Sequence, residues 1–156
     1  MTTVRWIPLL VIMTLVAGCV TAPSVPMASP ASDADAKQFM PPTGRANVYI
    51  ARSNGSSAGG SSLLNVSVDG KLLGPIAPGM FYLVSVDPGK HELSAKSGMY
   101  SSDVAVDAAA GNNYFYEVTT ATVVYGVKKP SLGVVLLEDM GKMMVRQAQR
   151  AQGSGG

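Results

Sequence analysis

Residues 55–59 read Gly-Ser-Ser-Ala-Gly. This is formally the G-x-S-x-G pattern that presents a serine nucleophile, here Ser57. Asp69 or Asp87, and then His91, follow in the order that α/β-hydrolases use. A serine hydroxyl attacks when an imidazole takes its proton and a carboxylate orients that imidazole. Such a nucleophile has to be held rigidly, between an incoming strand and an outgoing helix. Ser57 instead lies in SNGSSAGGSS, a glycine- and serine-rich stretch that leads into a strand-like run. The pattern argues for an inter-strand loop, and the chain is not expected to be an enzyme.

Other chemistry has equally little to stand on. The sequence holds one histidine and one cysteine, Cys19. A metal site would therefore need carboxylates alone, such as Asp69, Asp87 and Asp103. Asp69 and Asp87 already have a local role as turn residues, so no metal site is expected. The glycines precede no helix and make no phosphate loop. The 12 Lys and Arg and 10 Asp and Glu are scattered, without the basic run that captures nucleic acid. His91 shares a face with Leu93 and Ala95, which suits a histidine at the rim of a core, bonded to a turn carbonyl. A pH-sensing or binding role is its other reading.

The elements that would position these residues are strands. Ala46, Val48 and Ile50 alternate with Asn47, Tyr49 and Ala51, the period of a half-buried strand. Leu64, Val66 and Val68 repeat that pattern. Asp69-Gly70 between two apolar runs predicts a type I′ hairpin, whose positive φ values Asp and Gly tolerate. Asp87-Pro88-Gly89 suits a type II turn. Val104 and Val106 face away from Asp103 and Asp107; Tyr114, Tyr116 and Val118 share a face. LGVVLLED is apolar on both faces and reads as a central or covered strand. Seven or eight strands at such spacing predict an all-β antiparallel β-sandwich over residues 41–139, with an open barrel as the alternative. Residues 140–156 are expected to hold a short helix packing Met143 or Val145, then a polar tail.

The N-terminus reads as a targeting segment. The apolar run from Trp6 to Val16 would rise roughly 16 Å as a helix, half of a hydrocarbon core about 30 Å thick. That is too short to span and suits a signal peptide over residues 1–18. Val16-Ala17-Gly18-Cys19 resembles the lipobox of bacterial lipoproteins. Small residues let the backbone enter a peptidase groove, and the thiol is the group that is alkylated. The resemblance implies that Cys19 carries diacylglycerol and an acylated amino terminus, an anchor of several chains that holds firmly where one does not. Val20, where inner-membrane lipoproteins of enteric-type bacteria often have aspartate, favours the periplasmic face of the outer membrane. Residues 19–40, rich in Ala, Ser and Pro, are expected to be a disordered linker spanning about 25 Å.

The segments PPTGRANVYIAR, VSVDGKLLGPIAPGMFYLVSVDPGKHELSA and AAAGNNYFYEV resemble, in order and spacing, the bacterial lipoprotein family built on the domain of unknown function 2846. Val68-Asp69-Gly70-Lys71 and Val86-Asp87-Pro88-Gly89-Lys90-His91 carry most of that similarity. They are also similar to small periplasmic sandwiches of the transthyretin or carboxypeptidase-regulatory type. The resemblance implies a sandwich and an envelope location, and brings no established activity. Tyr49, Tyr82, Phe115 and Tyr125 lie opposite the core-facing sets or near strand ends, where they would form an outward binding surface, or else a second buried face. The expectation is a non-enzymatic binding or scaffold lipoprotein, with no cofactor beyond the lipid on Cys19, held to the membrane and engaging an envelope protein or glycan. The alternatives are a small envelope hydrolase or ligand-binding lipoprotein using Ser57 or His91, and an accessory lipoprotein of a secretion or envelope machine.

Overall fold

The computed structural model describes residues 25–54, 62–122 and 128–154. Its elements are α1 (Pro30–Ala36), β1 (Ala46–Arg52), β2 (Leu64–Val68), β3 (Lys71–Ile76), β4 (Met80–Val86), β5 (Gly89–Ser97), β6 (Tyr100–Ala108), β7 (Asn113–Thr122), β8 (Lys128–Val134), α2 (Glu138–Gln147) and β9 (Gln149–Arg150). The strands make two sheets, one ordered β8-β7-β1-β4-β9 and one ordered β3-β2-β5-β6. Their facing sides enclose the main core, in which Val48, Ile50, Leu64, Val66, Ile76, Leu93 and Val118 are fully buried. The sandwich predicted from strand spacing is the observed architecture.

Local turn chemistry acts as expected at the β2–β3 hairpin. Asp69 and Gly70 take φ values of 50° and 74°, the positive pair of a type I′ turn. Gly89 also takes positive φ, at 135°, but Asp87-Pro88 makes no hairpin: it carries the chain from β4 in one sheet to β5 in the other.

The five-stranded sheet is not purely antiparallel. β1 runs antiparallel to β4 but parallel to β7, and β4 runs parallel to β9. A hairpin forces antiparallel pairing, whereas a long crossover leaves direction open. β1 and β7 are joined only through two excursions into the other sheet, so their relative direction was not written in any single turn.

β1 was expected to bury one face, and it buries both. The outer face of its sheet carries a second core of Tyr49, Ala51, Phe81 and Phe115, covered by Ala36 and Phe39 on one side and by Val145 and Ala148 on the other. Tyr49 and Phe115 stack at 5.0 Å with planes 14° apart, and Phe39 meets Phe115 edge-on at 5.9 Å. Full burial of each such ring is worth about 1.5–3 kcal/mol. That is the energy that orders the flanking segments.

Residues 25–40 are therefore not a disordered linker. Ser29 caps α1 by accepting from Ser32 N–H, Pro30 occupies its first turn, and Lys37 bridges Asp33 at 2.8 Å. Val25 is buried, and Met27 bridges Ala151. Part of that linker, residues 19–24, lies outside the described residues. The polar tail is corrected in the same way: Gln149 and Arg150 form β9, and Ser154 N–H donates to Leu73 O at 2.8 Å.

The helix predicted near the C-terminus is α2, which buries Val145 and leaves Met143 exposed. LGVVLLED is not a central strand: Leu132–Val134 end the edge strand β8, residues 135–137 connect, and Glu138 and Asp139 open α2, with Val134, Leu136 and Leu137 exposed. Among the described residues no helix is long and apolar enough to cross a membrane.

Candidate functional site

The two sheets are closed along one side and open along the other. On the closed side, β8 leans onto the opposing sheet and Leu132 N–H donates to Ser102 Oγ at 3.0 Å. On the open side β4 faces β3. They touch at one end, where Tyr82 donates its hydroxyl hydrogen to Pro75 O at 2.9 Å. Gly74 permits that approach, since a Cβ there would stand 2.7 Å from the Tyr82 oxygen. Toward the Asp69-Gly70 turn the sheets part, leaving a cleft of about 490 Å³. Val68, Leu73, Val84 and Val86 give it apolar walls. It adjoins a hollow of about 570 Å³, which shares Leu83, Val84 and Arg150 with it.

A chain of polar contacts forms the cleft's mouth. Arg45, just before β1, donates from Nη2 to Ser85 O at 2.7 Å and lies 3.4 Å from the Asp87 carboxylate. His91, on β5, places Nε2 2.8 Å from Asp87 O and Nδ1 2.6 Å from Asp69 Oδ2. Asp69 Oδ1 accepts from Glu92 N–H at 2.9 Å. Both imidazole nitrogens thus face oxygens that only accept. A neutral ring has one N–H and would set a lone pair against one of them, so the geometry suits the imidazolium. The Asp69 hydrogen bond, and then that to the Asp87 carbonyl, raise the His91 pKa. His91 and then Glu92 N–H lower that of Asp69. Held this way, the ring has no lone pair free to act as a base.

Further cations face the same space. Lys71 follows the hairpin turn and makes no ion pair among the described residues. Arg150 holds Ser32 through Nη1, bonding its carbonyl at 3.0 Å and its hydroxyl at 2.6 Å. With Asp87 opposite Arg45 and Asp69 opposite His91, Lys71 and Arg150 leave the cleft cationic.

The structure unites some of the residues singled out in the sequence and separates others. Asp69, Asp87 and His91 meet at the mouth, and the rim histidine bonded to a turn carbonyl is observed. Asp103 stands apart on β6, bonded to Ser101 Oγ at 3.1 Å. No group of three metal-ligating side chains occurs among the described residues. Ser57, Cys19 and Tyr125 lie outside the described residues.

The outward aromatic surface is corrected. Tyr49, Tyr82 and Phe115 are 0%, 2% and 2% exposed. Tyr49 and Phe115 face outward from the sandwich, but α1 and α2 roof them over; Tyr82 points inward. Burial pushes the Tyr49 phenol up to about 12, and its hydroxyl donates to Ala36 O at 2.8 Å. Sequence reading assigned no site role to Arg45, Lys71 or Arg150, although Lys71 closes the Val68-Asp69-Gly70-Lys71 motif. They come from three remote segments, and no local pattern links them.

Comparison with known proteins adds family and no activity. An uncharacterized protein of Haemophilus influenzae is 34% identical over 102 residues, which cover 65% of this chain and 58% of that protein. The chain thus matches little more than half the length of that relative. No solved structure matches the chain. A family model described as Protein of unknown function (DUF2846) matches residues 42–129, which run from just before β1 into β8, and the chain belongs to that family.

Proposed function

We propose that this chain is a lipid-anchored protein of the bacterial cell envelope whose sandwich is a non-enzymatic binding module. In this reading the lipid sits on Cys19, at the periplasmic face of the outer membrane, and the partner is an envelope protein docking at the cleft between β3 and β4. The observation that carries the binding role is that cleft: apolar walls, a cationic surplus, and a histidine with both nitrogens already engaged. Val16-Ala17-Gly18-Cys19 supports the anchor.

The ordered start of the domain alters the geometry of that anchor. Val25 is buried, and six peptide steps from Cys19 reach at most about 22 Å. The module is therefore held close to the bilayer surface, and its partner is met there. The test is labelling of cells with radioactive palmitate. The native chain should label and fractionate with membranes, and Cys19→Ser should do neither. Equal labelling of both forms removes the anchor from this account.

A further inference from the structure

The form of the partner follows from the edge of β4. Along one edge β4 is bonded to β1 from Met80 to Val86. Along the other, β9 covers only Met80 and Phe81. There Gln149 N–H donates to Gly79 O at 2.9 Å and Ala151 N–H to Phe81 O at 2.8 Å. Odd-numbered residues of β4 thus turn their backbone groups toward β9, and even-numbered ones toward β1. Past Ala151 the chain leaves β4: Gln152 N–H donates to Pro26 O and Ser154 N–H to Leu73 O. The outward amides and carbonyls of Leu83 and Ser85 then face the cleft with no strand across from them among the described residues. Ser85 O alone has a partner, Arg45 Nη2.

Open edges are normally protected by charge, proline or a bulge. The remaining edge strands here have such protection. β3 carries Lys71 and Pro75 and pairs across an irregular register at Val66/Ser67, β8 carries Lys129 and Pro130, and β6 carries Asp103 and Asp107. Tyr82 to Val86 of β4 carry no charge and no proline. Among the described residues this edge thus has no charge or proline of its own, Arg45 reaching it only at Ser85 O, and it borders the apolar, cationic cleft.

The geometry points to an extended segment of a partner protein that adds to β4 as a strand beyond the end of β9. It bonds to Leu83 and Ser85, sets an apolar side chain between Val84 and Leu73, and directs acidic side chains toward Lys71 and Arg150. Exposed ladder groups are matched by another backbone, which a glycan or a simple ion does not supply. β9 itself shows that this edge accepts an added strand. The inference rests on the binding role proposed above and specifies its mode.

A short peptide of alternating valine and glutamate is the probe, added at millimolar concentration to the mature, detergent-solubilised protein. Amide hydrogen exchange is read at Leu83 and Ser85, and affinity is read by titration. Two N-methylated versions, one methylated on each edge of the peptide, remove its ladder hydrogen bonds without touching the protein. Exchange at Leu83 and Ser85 should slow with the parent peptide. Methylation of one edge should weaken binding about tenfold or more, and methylation of the other should not. Leu83→Pro, which deletes one outward N–H from an edge position, should weaken binding similarly. Equal binding by all three peptides, or resonance shifts at His91 without protection of Leu83 and Ser85, overturns strand addition and leaves the cleft a binding site. No shift anywhere in the cleft overturns both. Palmitate labelling is independent of every one of these outcomes.

Discussion

Gly141 of α2 sets two physical effects against each other, and their magnitudes decide the sign. Replacing glycine by alanine inside a helix gains about 1 kcal/mol from backbone entropy. At Gly141, however, the new Cβ would stand 2.6 Å from Phe115 Cβ and 2.7 Å from Cδ2, and overlap Cγ as well. Phe115 cannot retreat easily: it is 2% exposed, stacked on Tyr49 and met edge-on by Phe39. The helix must lift from the sheet, loosening Val145 and Ala148 as it goes. Overpacking of this kind costs about 1–3 kcal/mol, more than the helix gain. Gly141→Ala should therefore destabilise by roughly 1 kcal/mol, lowering Tm by about 2–4 °C for a domain of this size. Circular-dichroism melts and urea midpoints read the change. In a Phe115→Ala background the Cγ and Cδ2 overlaps disappear and only the Cβ contact remains, so the same substitution should cost less there, which a double-mutant cycle reports as coupling. A higher Tm for Gly141→Ala alone would refute the close packing of α2 on β7.

Gly89 tests backbone strain without steric conflict, since a Cβ there meets nothing within 4 Å while φ is 135°. Gly89→Val should cost about 1–3 kcal/mol, and an unchanged Tm would show that the corner is not under that constraint. The Asp69–His91 pair should make stability depend on pH from both sides. His91 is raised above its ordinary 6.5, so its contribution is full below that value and is lost as pH rises through the folded pKa. Asp69 is lowered below 3.8, so its contribution is full above that value and is lost as pH falls through the folded pKa. The pair therefore stabilises most between about pH 4 and 6.5, modestly because Asp69 is half exposed. Asp69→Asn should return the His91 titration, followed by NMR, toward its ordinary value; an unmoved titration would show that the carboxylate is not its main partner.

Short-range chemistry was legible in the sequence wherever a residue answers to its immediate neighbours. The Asp69-Gly70 turn needs positive φ at two positions, and those residue types supply it wherever they occur. Alternation gave the sandwich because a strand's two faces differ by one residue. The bond from His91 to the Asp87 carbonyl is of the same kind, as it closes within one corner of the chain. Signals for α1 were also present in Ser29, Pro30 and Asp33, but seven residues do not hold a helix in water unaided. Composition alone therefore suggested disorder where Ala36 and Phe39 actually dock.

The remaining features belong to the tertiary structure. Whether Tyr49 and Phe115 meet solvent depended on two remote segments folding over their sheet. The parallel pairing of β1 with β7 depended on crossovers that no turn specifies. The cleft gathers Arg45, Lys71, His91 and Arg150 from separate segments of the chain, and it exists only because β9 ends after two residues and leaves part of β4 uncovered. Sequence patterns record what each residue prefers beside it; they do not record which distant backbone stops short.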